Sequence, residues 1–214
     1  DALTLRATAT GSGNDIDVAI ASGDLTLTSA TAADMVVLSA AGDIIAANPT
    51  RLTISGVSAD LAAGGAIGAF ATPMQTSVST LSAIAADDLY VTNRGGMSVT
   101  AAESTNGDLG VYAGGNLVLG TLSADGSATI TTTGAIEATA GAGANVAADT
   151  LSLTGLSIGE STEFLRTETN ELSALGTSGG VYISDLGTGT IDATSIVAQG
   201  KDADLTFVSD GDIN

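Results

Sequence analysis

Carboxylates are the only side chains that this sequence supplies in numbers sufficient for chemistry: 24 Asp and Glu stand against five Lys and Arg, with no His and no Cys. Without imidazole or thiol there is no Ser-His triad, no cysteine nucleophile and no His or Cys metal ligand. What remains is the paired-carboxylate arrangement of glycosidases and the oxygen-rich cation site. Asp87 and Asp88 are adjacent, but neighbours on a strand point to opposite faces, so these two converge only in a loop. Glu160, Glu163, Glu168 and Glu171 gather beside Arg166 in the stretch 157–172, the least regular of the chain. That cluster reads first as a solvated face or loop, then as a cation site, and last as a catalytic pair. Gly11-Ser12-Gly13-Asn14-Asp15 has the form of one calcium-binding nonapeptide. Such sites need tandem copies, so a plain loop is the better reading. No catalytic residue and no resident cofactor are expected. Loose Ca2+ binding at Asp15, Asp87, Asp88, Glu160 or Glu163 is the sharper alternative to an acidic coat that keeps the molecule soluble.

The net charge of −19 excludes other partners. Arg6, Arg51, Arg94, Arg166 and Lys201 are too few and too dispersed to assemble a basic patch, so neither nucleic acid nor an anionic membrane surface is an expected partner. No apolar run approaches the length of a membrane span. Sugar-binding enzymes usually present aromatic platforms. Here Phe70, Tyr90, Tyr112, Phe164, Tyr182 and Phe207 mostly fall within strand-like stretches, where core or edge packing is the expected use. Paired threonines (Thr26/Thr28, Thr131/Thr133, Thr167/Thr169) are scattered, whereas a flat threonine array needs the same face in consecutive units.

The elements that would position these residues announce themselves by repetition. Gly23-Asp24-Leu25, Gly42-Asp43-Ile44, Gly115-Asn116-Leu117, Gly134-Ala135-Ile136 and Gly211-Asp212-Ile213 share one pattern. The steps Gly23 to Gly42, Gly96 to Gly115 and Gly115 to Gly134 are each 19 residues. A fixed period near 20 means one supersecondary unit copied and stacked. Apolar residues alternate before each glycine (Val36/Leu38, Leu109/Val111, Ala128/Ile130, Leu205/Phe207) and after it (Leu25/Leu27, Ile44/Ala46, Leu117/Leu119). Period-two alternation puts these side chains on one face of a strand. Each unit therefore reads strand, corner, strand. Gly23, Gly42, Gly115, Gly134 and Gly211 are expected to supply corner angles that other residues rarely adopt, and their Asp or Asn neighbours to bond the turning backbone. With 28 Gly, two Pro and six aromatics, a core of large side chains is replaced by a narrow tube of stacked Leu, Ile, Val and Ala. The fold expected is all-β, a parallel β-solenoid of about ten coils and about 20 residues per coil, a rod roughly 50 Å long. Residues 1–214 are expected to form one continuous solenoid.

A longer repeat overlies the coils. Leu52-Thr53-Ile54-Ser55-Gly56 echoes Leu151-Ser152-Leu153-Thr154-Gly155, at an offset of 99. Ile67-Gly68 matches Ile158-Gly159, and Tyr90-Val91-Thr92-Asn93 matches Tyr182-Ile183-Ser184-Asp185, at offsets of 91 and 92. Two divergent modules are expected, about 45–140 and 141–214, the second truncated, with an Ala- and Gly-rich insertion at 56–66. The chain opens and closes in mid-pattern, as a window on a longer repetitive protein would. Open terminal coils of that kind are templates for end-to-end stacking on further copies.

Repeated Gly-Asp/Asn-Ile/Leu at 19-residue steps without cysteine resembles the filamentous haemagglutinin-like exoproteins. The stretches Leu172-Ser173-Ala174-Leu175 and Gly180-Val181-Tyr182-Ile183-Ser184 look like giant bacterial β-strand-repeat surface proteins of that group. The resemblance spans nearly the whole chain on weakly specific motifs. It implies a right-handed β-helix, export to the cell surface and a non-catalytic role as a rod in an adhesin or matrix fibre. The Asn-Pro-rich signature of the family's secretion domain is missing, and Asn48-Pro49 reads as a turn, so the resemblance is to shaft. A carbohydrate- or receptor-binding module on one β-helix face is the alternative, and a β-helical polysaccharide lyase or hydrolase comes third.

Overall fold

The computed structural model describes residues 2–141 and 143–214. Alternating Leu, Val, Ile, Thr and Ser favours extended backbone, and the described residues form 21 strands. Every pairing between strands is parallel. The chain winds as a β-solenoid of about 10 turns of about 21 residues.

Each coil contributes to two ladders. In the first, the inward rungs run Leu3, Leu25, Ile44, Ile67, Leu89, Leu109, Ala128, Leu151, Leu172, Ala193. In the second they begin Ile16, Val36, Ala59, Leu81, Val99 and continue through Leu119. Beside these, the line Met97, Leu117, Ile136, Ile158, Val181, Leu205 carries the second ladder to the last coil. Both ladders face one interior, a single cluster of Leu, Ile, Val, Met and Ala. Burying each such Leu or Ile is worth about 1.5–3 kcal/mol, and stacking lets small coils share that gain with their neighbours.

Val36, Leu38, Leu109, Val111 and Ile130 are buried, as the glycine offset requires. Leu205 and Phe207 depart from it. Leu205 is 48% exposed and Phe207 only partly buried against the core. Their strand, Leu205–Ser209, pairs with Val181–Asp185 on one side and has no rung on the other. Burial here comes from the coil above, not from the strand's own pattern.

The corners also depart from expectation. Of the five corner glycines, only Gly23 has a left-handed φ, at 80°. Gly42, Gly115, Gly134 and Gly211 do not. They are needed because stacked corners approach too closely for a side chain. A Cβ on Gly42 would collide with Asp24 Oδ1 and lie 2.9 Å from the Gly23 carbonyl oxygen. On Gly115 it would lie 2.8 Å from the Gly96 nitrogen, and on Gly134 it would lie 2.7 Å from the Gly115 carbonyl carbon. On Gly211 it would collide with the Gly189 carbonyl oxygen.

The 19-residue steps are thus two series. Gly23 and Gly42 lead into the first ladder, whereas Gly115 and Gly134 lead into the second. The offset of 92 residues that joins them marks the true repeat. Leu25 and Leu117, Ile44 and Ile136, and Ile54 and Val146 hold equivalent places in the two ladders. The backbone hydrogen bonds repeat with them. Leu25 N donates to Asp43 O at 2.7 Å and Leu117 N to Ala135 O at 2.8 Å; Ala30 N donates to Thr53 O at 2.7 Å and Leu122 N to Asn145 O at 2.8 Å. The offset of 92 carries Gly23 to Gly115 and residue 45 to residue 137. The echo of 52–56 in 151–155 is not a structural equivalence, because Ile54 stacks on Ala30 and Thr76, whereas Leu153 stacks on Ile130 and Ala174.

Candidate functional site

The acidic candidates are placed by corner geometry, and most are occupied with backbone. Asp15 Oδ1 accepts Met35 N at 2.9 Å, and Asp88 Oδ1 accepts Asp108 N at 2.9 Å. Asp24 Oδ1 accepts Asp43 N at 3.0 Å, and Asp43 Oδ1 then accepts Ala66 N at 2.8 Å. Asp108 Oδ1 accepts Ser127 N at 2.8 Å, and Asn116 Oδ1 accepts Ala135 N at 3.1 Å. Each corner side chain thus ties its coil to the next. Asp87 is exposed in the same bend as Asp88. Glu160 and Glu163 close a loop by exchanging backbone hydrogen bonds at 2.9 and 3.1 Å, and Glu163 pairs with Arg166 at 2.8 Å. Glu168 and Glu171 lie in the regular strand Leu165–Gly176, so only the first part of 157–172 is irregular. Among the described residues, no three His, Cys, Asp or Glu are grouped to hold a metal ion, and no helix is long and apolar enough to cross a membrane.

The aromatic side chains are where the structure differs most from the sequence reading. Phe70 is not in a strand and is 80% exposed, and Tyr112 is 41% exposed. Tyr90 sits on the outward face of Leu89–Asn93, because Leu89, Val91 and Asn93 take the inward positions. Phe70 meets Tyr90 edge to face, with centroids 5.7 Å apart and planes at 77°. The Tyr90 ring lies across the next rung, where Gly110 leaves room; a Cβ there would approach Tyr90 Cε1 to 2.7 Å. Phe70, Tyr90, Tyr112, Thr129 and Thr131 line an open groove of about 210 Å³. Burial first, then Asp108 and Asp88, push the Tyr90 hydroxyl above its ordinary pKa, so it stays a hydrogen-bond donor.

The strand positions of this outward face carry no charged side chain over four coils, and Asp88 and Asp108 stand at its edge beside Tyr90. Its paired positions are Tyr90 and Thr92, Gly110 and Tyr112, Thr129 and Thr131, then Ser152 and Thr154. The scattered Thr-x-Thr pieces did not reveal this hydroxyl face, because its rungs are 19 to 23 residues apart. The signal that could have found it is the alternation itself: Tyr90 and Tyr112 flank the inward Val91 and Val111.

A ring pair recurs in the second copy, but Thr206 and Val208 stand where the first copy has Gly110 and Tyr112. Phe164 meets Tyr182 at 5.9 Å with planes at 51°. The Tyr182 hydroxyl donates to Asp204 Oδ2 at 3.2 Å; partial desolvation first, then Asp204, raises its pKa. Gly68 and Gly159 each open the preceding loop with φ 64°, a left-handed angle that favours glycine.

Buried polar groups mark the two copies as well. Asn93, 1% exposed, accepts from Thr76 Oγ1 and Val78 N at 2.9 and 3.0 Å, and donates to the carbonyls of Val78 and Gly95 at 3.1 and 3.0 Å. Its counterpart Asp185, also 1% exposed, accepts from Thr167 Oγ1 at 3.0 Å, Thr169 N at 3.3 Å and Gly187 N at 3.2 Å. Burial pushes the Asp185 carboxyl up, the three hydrogen bonds pull it down, and Glu168 adds to the rise.

Compared with family models, curated proteins and solved structures, the chain finds no match in any of the three.

Proposed function

We propose that this chain is a structural rod module of a secreted or cell-surface adhesin or extracellular matrix fibre, and that it is not an enzyme. The observation that carries the reading is the unbroken parallel ladder through all ten coils, reinforced at successive corners by Asp or Asn bonds to the coil above. Such a ladder gives length without a large core, because each coil packs only on its neighbours. Its likeness to haemagglutinin-like shafts supports an extracellular, bacterial cell-surface location. Axial stacking on further repeats or copies belongs to the same reading. The charge of −19 opposes side-by-side bundling.

Labelling intact cells with antibody against the folded rod tests the location: surface signal is expected, and signal only after permeabilisation overturns it. Sedimentation at moderate salt tests axial stacking, with linear oligomers expected as concentration rises.

A second reading is favoured by one observation. The exposed aromatic and hydroxyl face around Phe70, Tyr90 and Tyr112 is suited to carbohydrate recognition, which would make the shaft a binding surface as well. Stacking of sugar C–H faces on the rings, with threonine hydroxyls fixing orientation, is the chemistry it offers.

A further inference from the structure

The groove at Phe70 has one acidic border. Asp88 stands directly before the strand Leu89–Asn93 and Asp108 directly before Leu109–Ala113. Leu89 pairs with Leu109, so the two acids occupy adjacent coils, stacked about 4.8 Å apart. Because Leu89 and Leu109 are buried, alternation places Asp88 and Tyr90, and Asp108 and Gly110, on the outward side. Asp87 is exposed in the same bend as Asp88. Asp88 and Asp108 each use Oδ1 to accept one backbone N–H of the following coil. A carboxylate can accept about four hydrogen bonds, so both keep capacity for a cation. The corner tie itself does not require the charge, because Asn116 Oδ1 accepts Ala135 N in the same way. Among the described residues none of these three acids is in an ion pair; the ion pair formed is Arg166 with Glu163.

Rings and acids together select a ligand that is apolar on its faces and cationic at its edge. Phe70 and Tyr112 are exposed, and the Tyr90 ring lies over Gly110, so the three offer surface on which sugar C–H faces can stack. Thr129 and Thr131 add hydroxyls to the same groove. A neutral glycan leaves the acidic border unused, and an acidic one is repelled by it and by the net charge of −19. We propose that the Phe70–Tyr90–Tyr112 groove binds a glycan whose sugars carry free amino groups, the rings stacking on the aromatic side chains and the ammonium groups meeting Asp88 and Asp108. The proposal names the sugar class and rests on the carbohydrate reading given above.

Calorimetric titration near pH 6, where the carboxylates are ionised, tests this with a glucosamine tetramer, its fully N-acetylated counterpart and tetralysine. The glucosamine tetramer should bind about tenfold more tightly than either of the others. Asp88→Asn with Asp108→Asn keeps the corner acceptors, as Asn116 does, and should remove about that tenfold. The same charge removal at Asp24 and Asp43, which tie their corners in the same way, should change affinity by no more than about twofold. Phe70→Ala with Tyr112→Ala, at exposed positions, should weaken both tetramers. Circular dichroism checks that each variant remains folded. Equal or tighter binding of the N-acetylated tetramer would overturn the amino-sugar assignment and leave carbohydrate recognition standing. No binding of either tetramer would overturn both. Tetralysine binding as tightly as the glucosamine tetramer, or equal losses from the two pairs of Asp→Asn changes, would overturn the proposal by reducing it to attraction between net charges.

Discussion

Strands Leu89–Asn93 and Val181–Asp185 hold equivalent places 92 residues apart, yet one ends on a buried amide and the other on a buried carboxyl. The chain after each has adjusted to that difference. Following Asn93, the carbonyls of Gly95 and Gly96 turn inward to accept its amide protons. Following Asp185, the Gly187 N–H turns inward to donate. No buried side-chain nitrogen or oxygen lacks a partner among the described residues. A corner of this solenoid therefore tolerates either polarity, provided the next few backbone groups follow it. The loops before these strands differ in the same way. Arg166 ties its own loop to Gly143 O and Thr139 O at 2.8 and 2.7 Å, whereas Gln75, at the equivalent place, reaches only Pro73 O at 3.4 Å.

The strongest way to break the equivalence is at the glycines that stack on the Asx corners. Gly42→Val and Gly134→Val should each cost roughly 3 kcal/mol, because the new side chain must displace the Asp24 or Asn116 bond. Urea unfolding midpoints should fall by similar amounts for both. A cost confined to one of them would show that the two ladders are not equivalent.

Exchanging the buried polar groups comes next. Asn93→Asp should lose about 2–3 kcal/mol near neutral pH, since a carboxylate would face the Gly95 and Gly96 carbonyls. Asp185 gives the pH dependence. Its carboxyl is raised in the folded chain above the unfolded value near 4. The native state then binds more protons, so Asp185 contributes stability that is present below about pH 4 and lost as pH rises through the folded pKa. Denaturation midpoints of native protein and Asp185→Asn, compared from pH 3 to 7, should differ in that slope. Parallel curves would mean that Asp185 titrates like an exposed acid.

Smaller effects separate the loops. Arg166→Gln, which restores the residue of the first copy, should cost about 1 kcal/mol through its charged bonds to carbonyls and should speed amide exchange near Gly143. Tyr182→Phe should change stability by no more than about 0.5 kcal/mol, because its bond to Asp204 is exposed. It should nonetheless remove one of the two tyrosines, Tyr90 being the other, whose ionisation is delayed in a spectrophotometric titration.

How much of this was readable follows from which distances matter. Coil length, strand character and inward positions such as Val36, Leu38 and Ile130 were legible, because alternation and a period near 20 are local properties of the chain. The identity of the corner residues was legible too, but not their reason. Gly134 looks like a backbone-angle residue until the stacked corner 19 residues earlier is seen beneath it. Leu205 has the pattern of a core residue, yet its burial depends on a neighbouring rung. The aromatic sites were hidden for a related reason. Tyr90 and Tyr112 become a platform only when consecutive coils bring them side by side over Gly110.

By itself the sequence determined a β-solenoid and its approximate coil, since hydrophobic alternation with regular corners leaves the chain few other ways to bury its apolar face. Tertiary structure decided which ladder each repeat occupies. A repeat of 92 residues does not contain a whole number of coils of about 21, and that remainder is fixed by loop lengths such as 47–53, outside the strands. The strands carry the pattern, but the loops set the phase. Phase is what turns Phe164 and Tyr182 away from Phe70 and Tyr90, and it exists only once the coils are stacked.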